Sequence, residues 1–345
     1  MEEPKRTEIS ELGEFGLIDR LSQKVEHYHQ SSVKGIGDDA AVLAATDLQR
    51  VVTTDLLLEG IHFDLRYMPL QHLGYKAVAV NVSDVAAMNA IPTQITVSIG
   101  LSNRFSVEAV EALYEGIRAA CTNYKVDLIG GDTTASGAGL VISVTAIGEV
   151  ASDKVALRNG AQKGNIICVT GDLGAAYIGL QVLEREKAVY LTDPEAKPEI
   201  SKYKYIVQRQ LRPEARMDIV HELREREVVP TSMIDVSDGL ASELLHLARN
   251  SGVGLQVYEE NLPIDKMTYD TAVEFNVDPV TCVMNGGEDY ELLFTIKQED
   301  YEKVKSHPDI HFIGYATDLA GQAHLITKGG TVVPLKAQGF NHFNE

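Results

Sequence analysis

Residues 51–63 read VVTTDLLLEGIHF, and the rest of the chain is organised around this stretch. Val51 and Val52 are β-branched and suit a strand. Thr53, Thr54 and Asp55 then set three oxygen-bearing side chains in a row. Leu56–Leu58 return to apolar, and Glu59-Gly60 turns the chain towards His62. A carboxylate flanked by hydroxyls and backbone carbonyls suits a hard cation such as Mg²⁺, which prefers oxygen and keeps waters or phosphates in its remaining positions. Taken alone, an aspartate at a strand end is more often a turn residue. The weight comes from similar residues elsewhere.

Five further aspartates end apolar runs or lie on helices of buried character. Asp39 closes GIGDD, and Asp84 stands in NVSDVAAM among valines and alanines. Asp132 follows LIGG, and Asp235 and Asp238 bracket Ser237 in IDVSDGL. A buried carboxylate is costly unless paired or metal-bound. For any one of the six, a salt bridge or a cap is the simpler account. For six together, in segments with so few basic residues, a site for several Mg²⁺ ions is the better one. Carboxylate-held metals beside glycine loops describe phosphoryl transfer, which works by positioning and charge neutralisation. Gly130-Gly131 and the Gly171–Gly174 loop would let backbone approach phosphates, the latter at a helix start that favours anions. Arg158 is a candidate phosphate clamp, although an exposed linker arginine reads almost the same.

Other nucleotide motifs fail. Gly35-Ile36-Gly37-Asp38-Asp39-Ala40 matches G-x-G-x-x-A, but two aspartates would repel a pyrophosphate, and the motif runs helix-to-strand rather than strand-to-helix. No G-x-x-x-x-G-K-[ST] and no H-R-D or D-F-G set occurs.

Composition narrows the class further. A chain of 345 residues with 44% hydrophobic and 23% charged content reads as a globular enzyme of two domains. With 31 basic against 50 acidic residues, net −19, neither nucleic acid nor a membrane surface is an expected partner. An anionic substrate remains compatible if cations stand between. Cys121, Cys168 and Cys282 form no C-x-x-C, which fits a reduced, cytoplasmic setting. The start, MEEPKRTEIS, lacks a signal-peptide run, and no stretch reaches transmembrane length.

Periodicity predicts a helix from Ile9 to Val25, weakened at Gly13 and Gly16, a tight loop over 35–39, and strands at 40–45 and 50–58. A helix opens at Pro69 and is ended by Pro92. A strand covers 93–101, Ser106 caps a helix to Tyr124, a short strand 126–129 enters Gly130-Gly131-Asp132, and 140–150 alternates as a strand. Polar text over 150–165 marks a boundary between a domain at 1–150, expected to carry the metal and ATP site and the dimer contact, and one at 151–345, expected to carry the phosphate loop and the acceptor site. In the second, a strand at 166–169, a helix from 175, a charged and partly mobile connector at 186–204, a helix at 213–226 and strands at 233–236, 254–258, 290–297, 311–316 and 323–327 follow. Both halves have the α+β pattern.

The segments GEFGLI (13–18), GIGDDAAV (35–42), TTDLLLEGIHF (53–63), NVSDVAAM (81–88), LIGGDTT (128–134), LRP (211–213), IDVSDGL (234–240), GGEDYELLFT (286–295) and GFNHF (339–343) occur in this order. Together they resemble the thiamine-monophosphate kinases, over essentially the whole chain. The resemblance implies transfer of the ATP γ-phosphoryl group to thiamine monophosphate. It implies two α+β domains of the aminoimidazole-ribonucleotide-synthetase type, mixed sheets with helices on one face, and a homodimer whose N-terminal sheets pair. By matching position it implies Asp39, Thr53, Thr54, Asp55, Asp84, Asp132, Asp235 and Asp238 as the metal set. Tyr124, Gly131, Asp132, Arg158 and Ser237 would form the nucleotide set, with His62, Glu288 and Phe340 the acceptor set. Asp55, Asp132 and Asp238 would be central, and no general base is implied. Thr53 stands where serine is common, with its hydroxyl kept. Two other readings stay open: a relative that makes an acyl- or imino-phosphate from ATP, and a silent binder of nucleotide or thiamine phosphate. No nucleophile loop or C-terminal Cys favours the former, and the intact carboxylate set argues against the latter.

Overall fold

The computed structural model of the protein describes residues 6–36 and 40–337, apart from the side chains of Glu14 and Phe15. The chain divides into two compact units. One holds the chain up to Val85 together with Ile91–Ser152, the other Ala86–Ala90 together with the chain from Asp153.

The first unit is built on a four-stranded sheet. Helix α1 (Ile9–Ser22) precedes a small hairpin, β1 (Ser32–Lys34) and β2 (Val42–Leu43), and the long strand β3 (Gln49–Leu58) follows. Then come α2 (Leu70–Ala87), β4 (Ile91–Leu101), α3 (Val107–Tyr124), β5 (Asp127–Ala135) and β6 (Val141–Val150). The sheet order is β3-β6-β4-β5, antiparallel except for the parallel pair β4–β5. Along β6, Ile142, Val144, Ala146, Gly148 and Val150 are buried while their neighbours are only half-buried, so one face carries the core. Helices α2 and α3 cross closely because neither presents a side chain at the crossing. A Cβ on Gly74 would lie 2.0 Å from the Leu113 carbonyl oxygen, and one on Gly116 1.9 Å from that of Gln71.

The second unit carries a seven-stranded sheet. Its elements are β7 (Ile166–Thr170), α4 (Ala175–Thr192), α5 (Lys204–Leu211), α6 (Met217–Glu225), β8 (Ser232–Asp235), α7 (Leu240–Ser251), β9 (Gly254–Tyr258), α8 (Lys266–Glu274), α9 (Pro279–Asn285), β10 (Leu292–Ile296), α10 (Tyr301–Val304), β11 (Ile310–Thr317), β12 (Ala323–Ile326) and β13 (Val332–Pro334). The order is β13-β12-β9-β11-β7-β10-β8, with β12–β9 the parallel pair. Leu240, Leu244, Leu247 and Ala248 of α7 pack with Ile234, Leu255, Val257, Leu293 and Ile313 of the strands. The apolar spacing of α7 thus covers one sheet face.

Several sequence expectations change. The first helix breaks at Gly13, whose φ of 67° and ψ of 179° are not helical. Pro92 does not end α2. The helix ends at Ala87, Asn89 turns the chain in the left-handed region at φ 55°, and Pro92 already lies inside β4 beside a register shift. The expected strand at 40–45 is only Val42–Leu43, paired with an unforeseen β1. The short strand at 126–129 continues through Ala135. The connector at 186–204 is largely helical, since α4 runs to Thr192 and a 3₁₀ turn covers Ile200–Tyr203. The single helix at 213–226 begins only at Met217.

Candidate active site

Strand alternation sorts the threonines and aspartate of β3. Thr53 and Asp55 are half-buried, whereas Val52, Thr54 and Leu56 are exposed on the opposite face. The Thr53 Oγ1 donates to Asp84 of α2 at 2.5 Å, and the Asp55 N–H donates to Asn81 Oδ1 at 3.1 Å. Asn81 is fixed in turn by its Nδ2 donating to the Ala77 carbonyl at 3.0 Å, one helical turn back. Burial pushes the Asp55 carboxyl up to about 6, and the like charge of Asp84 adds to the effect. Two carboxylates and a hydroxyl, all oxygen, with one acid held above its ordinary range by burial and by its neighbour, are a donor set that fits a hard cation.

Two expected features are corrected here. Thr54 cannot join Thr53 and Asp55 through its side chain. Its Oγ1 donates to the Val144 carbonyl at 3.0 Å on the other face and meets Thr145 Oγ1 at 3.1 Å. Gly130-Gly131 is not a phosphate loop but part of β5. A Cβ on Gly131 would lie 1.9 Å from the Val97 carbonyl oxygen, so strand packing alone demands glycine there. Asp132 follows it, exposed, in register with Ser98. Asp39 lies outside the described residues.

His62 sits in the turn after β3. Its Nδ1 accepts the Leu58 N–H at 3.0 Å, which makes that nitrogen the unprotonated one and puts the proton of the neutral ring on Nε2. Tyr124 closes α3, half-buried, with its hydroxyl 3.4 Å from that of Tyr75 and the two rings 6.0 Å apart.

In the second unit, Asp235 is buried at the end of β8, whereas Asp238 is exposed. The Asp238 N–H donates to Glu243 Oε1 at 3.1 Å. Glu243, on the buried side of α7, escaped the sequence reading. Burial pushes its carboxyl up to about 8, Asp235 and Asp238 push it the same way, and Arg158 opposes them. The available signal was an acid one turn into a helix, between Ala241 and Leu244, directly after S-D-G. Arg158 is exposed, its carbonyl accepts from Ser251 Oγ at 3.3 Å, and its charge acts on both Glu243 and His246. Among the described residues, no three His, Cys, Asp or Glu side chains converge closely enough to form a metal site by themselves.

The structure joins two motifs that lie 50 residues apart in sequence. The Glu288 N–H donates to the Ser237 carbonyl at 2.7 Å and the Tyr290 N–H to that of Val236 at 2.9 Å. Glu288 and Tyr290 both sit in the left-handed region, at φ 59° and 53°. Such backbone costs of order 1 kcal/mol per residue and persists only where its surroundings hold it. Between them the buried Asp289 carboxylate accepts from Gly174 N at 2.7 Å and Ala176 N at 3.2 Å. The start of α4, expected to receive a phosphate, is therefore already capped by the protein's own side chain, Asp289. Burial pushes Asp289 up to about 7 against the pull of Arg209 and these two N–H groups. Glu291, also buried, accepts from Arg209 Nη1 at 2.9 Å, Arg216 Nη1 at 2.7 Å and Thr170 Oγ1 at 2.5 Å. Phe340 lies outside the described residues.

The profile of the AIR synthase related protein family matches this chain twice, its N-terminal domain over residues 37–150 and its C-terminal domain over residues 162–322. The chain is 34% identical to the thiamine-monophosphate kinase of Bacillus subtilis over 340 residues, covering 96% of this chain and 100% of that one. It is 36% identical to the thiamine-monophosphate kinase of Aquifex aeolicus over 335 residues, covering 97% and 99%. Among solved structures it is similar to AaThiL complexed with AMPPCP and TMP, with a TM-score of 0.74 and 33% identity, covering 97% of this chain and 98% of that one.

Proposed function

The chain belongs to the thiamine-monophosphate kinase family of AIR synthase related proteins, and from that membership we infer that it transfers the γ-phosphoryl group of ATP to thiamine monophosphate, giving thiamine diphosphate and ADP. The observation that carries this reading is the near-complete coverage, in both directions, of relatives named for that activity. In the reaction, the bond between the γ-phosphorus and the β,γ-bridging oxygen breaks. A bond from the same phosphorus to a phosphate oxygen of the acceptor forms. That oxygen is already anionic, so in-line attack needs no general base, and the protein's task is alignment.

Asp55, Asp84 and the Thr53 hydroxyl of the first unit, and Asp235 and Asp238 of the second, are assigned to Mg²⁺, with Asp132 and Asp39. The all-oxygen donor set and the raised carboxyls of Asp55 and Glu243 support that assignment. Bound Mg²⁺ would supply neutralisation of phosphate charge. Thr54 drops out of the side-chain set. ATP contacts are assigned to Tyr124, Gly131, Asp132, Arg158 and Ser237. Thiamine phosphate is assigned to His62, Glu288 and Phe340, with His62 acting through Nε2–H. A homodimer is proposed through the outer face of the β3–β6 side of the sheet, where Val52 is 66% and Leu56 51% exposed. Among the described residues no helix is long and apolar enough to cross a membrane, and the three buried free thiols support a reducing, cytoplasmic setting.

ADP release, followed with thiamine monophosphate, ATP and Mg²⁺, tests the reading. Release that depends on thiamine monophosphate and yields thiamine diphosphate is expected. Release without acceptor, or none, would overturn it.

A further inference from the structure

Helix α5 holds the 286–291 loop through two consecutive residues. Arg209 reaches the loop backbone, with Nη2 donating to the Asp289 carbonyl at 3.3 Å and to the Asp172 carbonyl at 3.1 Å. Gln210 reaches the side chain, with Nε2 donating to Glu288 Oε2 at 2.6 Å. Gln210 is 4% exposed, whereas Glu288 is half-buried. The loop backbone has its own anchors. The Glu288 and Tyr290 N–H groups are held by Ser237 and Val236, and the Asp289 carboxylate is held by the first turn of α4. The loop backbone is thus held by contacts other than the Gln210 amide. The Gln210 amide instead meets the carboxylate of Glu288.

We propose that Gln210 is a positioning residue for acceptor recognition, fixing the Glu288 carboxylate from its buried side so that it meets the cationic, amine-bearing acceptor already aligned. The proposal rests on the assignment of Glu288 to thiamine phosphate. A hydrogen bond from a buried donor to the carboxylate removes rotamer freedom that binding would otherwise have to remove. Gln210 thus acts on acceptor affinity and leaves the nucleotide alone. Nothing in the sequence pointed to it, because a glutamine within the helix segment IVQRQL carries no motif.

A double-mutant cycle tests this with the full-length enzyme: Gln210→Met, which keeps length and removes the donor, Glu288→Gln, and both together. Hydrogen bonds to charged groups set the scale. The expected result is a KM for thiamine monophosphate raised about tenfold or more in Gln210→Met, with KM for ATP within about twofold of the parent. In the Glu288→Gln background, Gln210→Met should add little, since its target is gone. If Glu288→Gln raises the acceptor KM but Gln210→Met leaves it unchanged, the proposal is overturned and the assignment of Glu288 stands. Full additivity of the two effects overturns it equally. If Glu288→Gln itself leaves the acceptor KM unchanged, the assignment of Glu288 fails and the role of Gln210 fails with it. Should Gln210→Met not fold, Gln210→Asn, which keeps the amide but is one methylene too short to reach, is measured in its place against the same criteria.

Discussion

The Thr53 hydroxyl donates to the Asp84 carboxylate at 2.5 Å, joining an edge strand to a helix immediately beside Asp55. The bond orients one acid while burial and that acid's charge raise the carboxyl of the other. On the proposed assignment both acids are metal ligands rather than a core pair. Asp55→Asn is expected to lower kcat by at least ~10²-fold, the scale of losing one electrostatic stabiliser of a transition state. Thr53→Ser keeps the hydroxyl and should stay near parental activity, whereas Thr53→Val should lose activity. Near-normal turnover by Asp55→Asn with a chelator present would end the metal assignment.

Mg²⁺ together with a non-hydrolysable ATP analogue should raise the melting temperature, because ligands that bind only the folded chain stabilise it by mass action. Scanning calorimetry with saturating Mg²⁺ and analogue reads this directly. No shift, under conditions where the enzyme turns over, would count against carboxylate-held metal.

Much of the fold was legible because strand and helix periods differ. The alternation of β6 and the capped helix from Ser106 could be read from the residues. Where reading failed, contacts distant in sequence decided. Gly130-Gly131 has the composition of a phosphate loop, but it lies within a strand and Gly131 answers to the Val97 carbonyl of a neighbouring strand. The Gly171–Gly174 turn looks like an anion cradle, but its N–H group at Gly174 is taken by the Asp289 carboxyl, 115 residues further on. Thr53-Thr54-Asp55 looks like a continuous ligand row until pleating turns Thr54 away. Glu243 had only a weak signal, its place one turn into a helix after S-D-G, because its significance depends on burial.

Dimerisation is expected through the sheet face that carries Val52 and Leu56, where an exposed edge strand needs cover. Light scattering at micromolar concentration should give about twice the 37.7 kDa chain mass. Leu56→Glu, which places a charge on that face, should shift the mass towards one chain. A single-chain mass for the parent protein would refute the dimer.

Asp289 predicts a pH dependence of stability. Its folded pKa of about 7 lies above the ordinary carboxylate value of 3.8, so between these values the folded chain holds a proton that the unfolded chain has lost. Stability from this group is complete below about pH 4, declines as pH rises, and is lost above about pH 7. Asp289→Asn, which cannot ionise, should not show that decline. Denaturant midpoints at pH 5 and pH 8 should therefore move in favour of the variant, relative to the parent, at the higher pH. A difference that does not change with pH would place the Asp289 carboxyl at its ordinary value.

The last expectation concerns the acceptor ring. Thiamine monophosphate carries a cationic thiazolium, an aminopyrimidine and a phosphate, and three kinds of group are needed to hold it. His62 and Glu288 suit the phosphate and the amine or ring charge. An aromatic face suits either ring and attracts the cationic one. Phe340, in the terminal GFNHF, is assigned that part. Stacking is as strong on the bound acceptor as in the transition state, since the rings do not take part in the bond changes. Loss of the face should then raise KM for thiamine monophosphate and leave kcat nearly intact. Phe340→Ala is expected to do so with the KM for ATP little changed, and Phe340→Tyr should restore parental values. Steady-state kinetics with each substrate varied in turn decides the matter. If Phe340→Ala stays folded with an unchanged acceptor KM, the ring is held elsewhere. If kcat falls instead while both KM values hold, Phe340 serves alignment rather than binding.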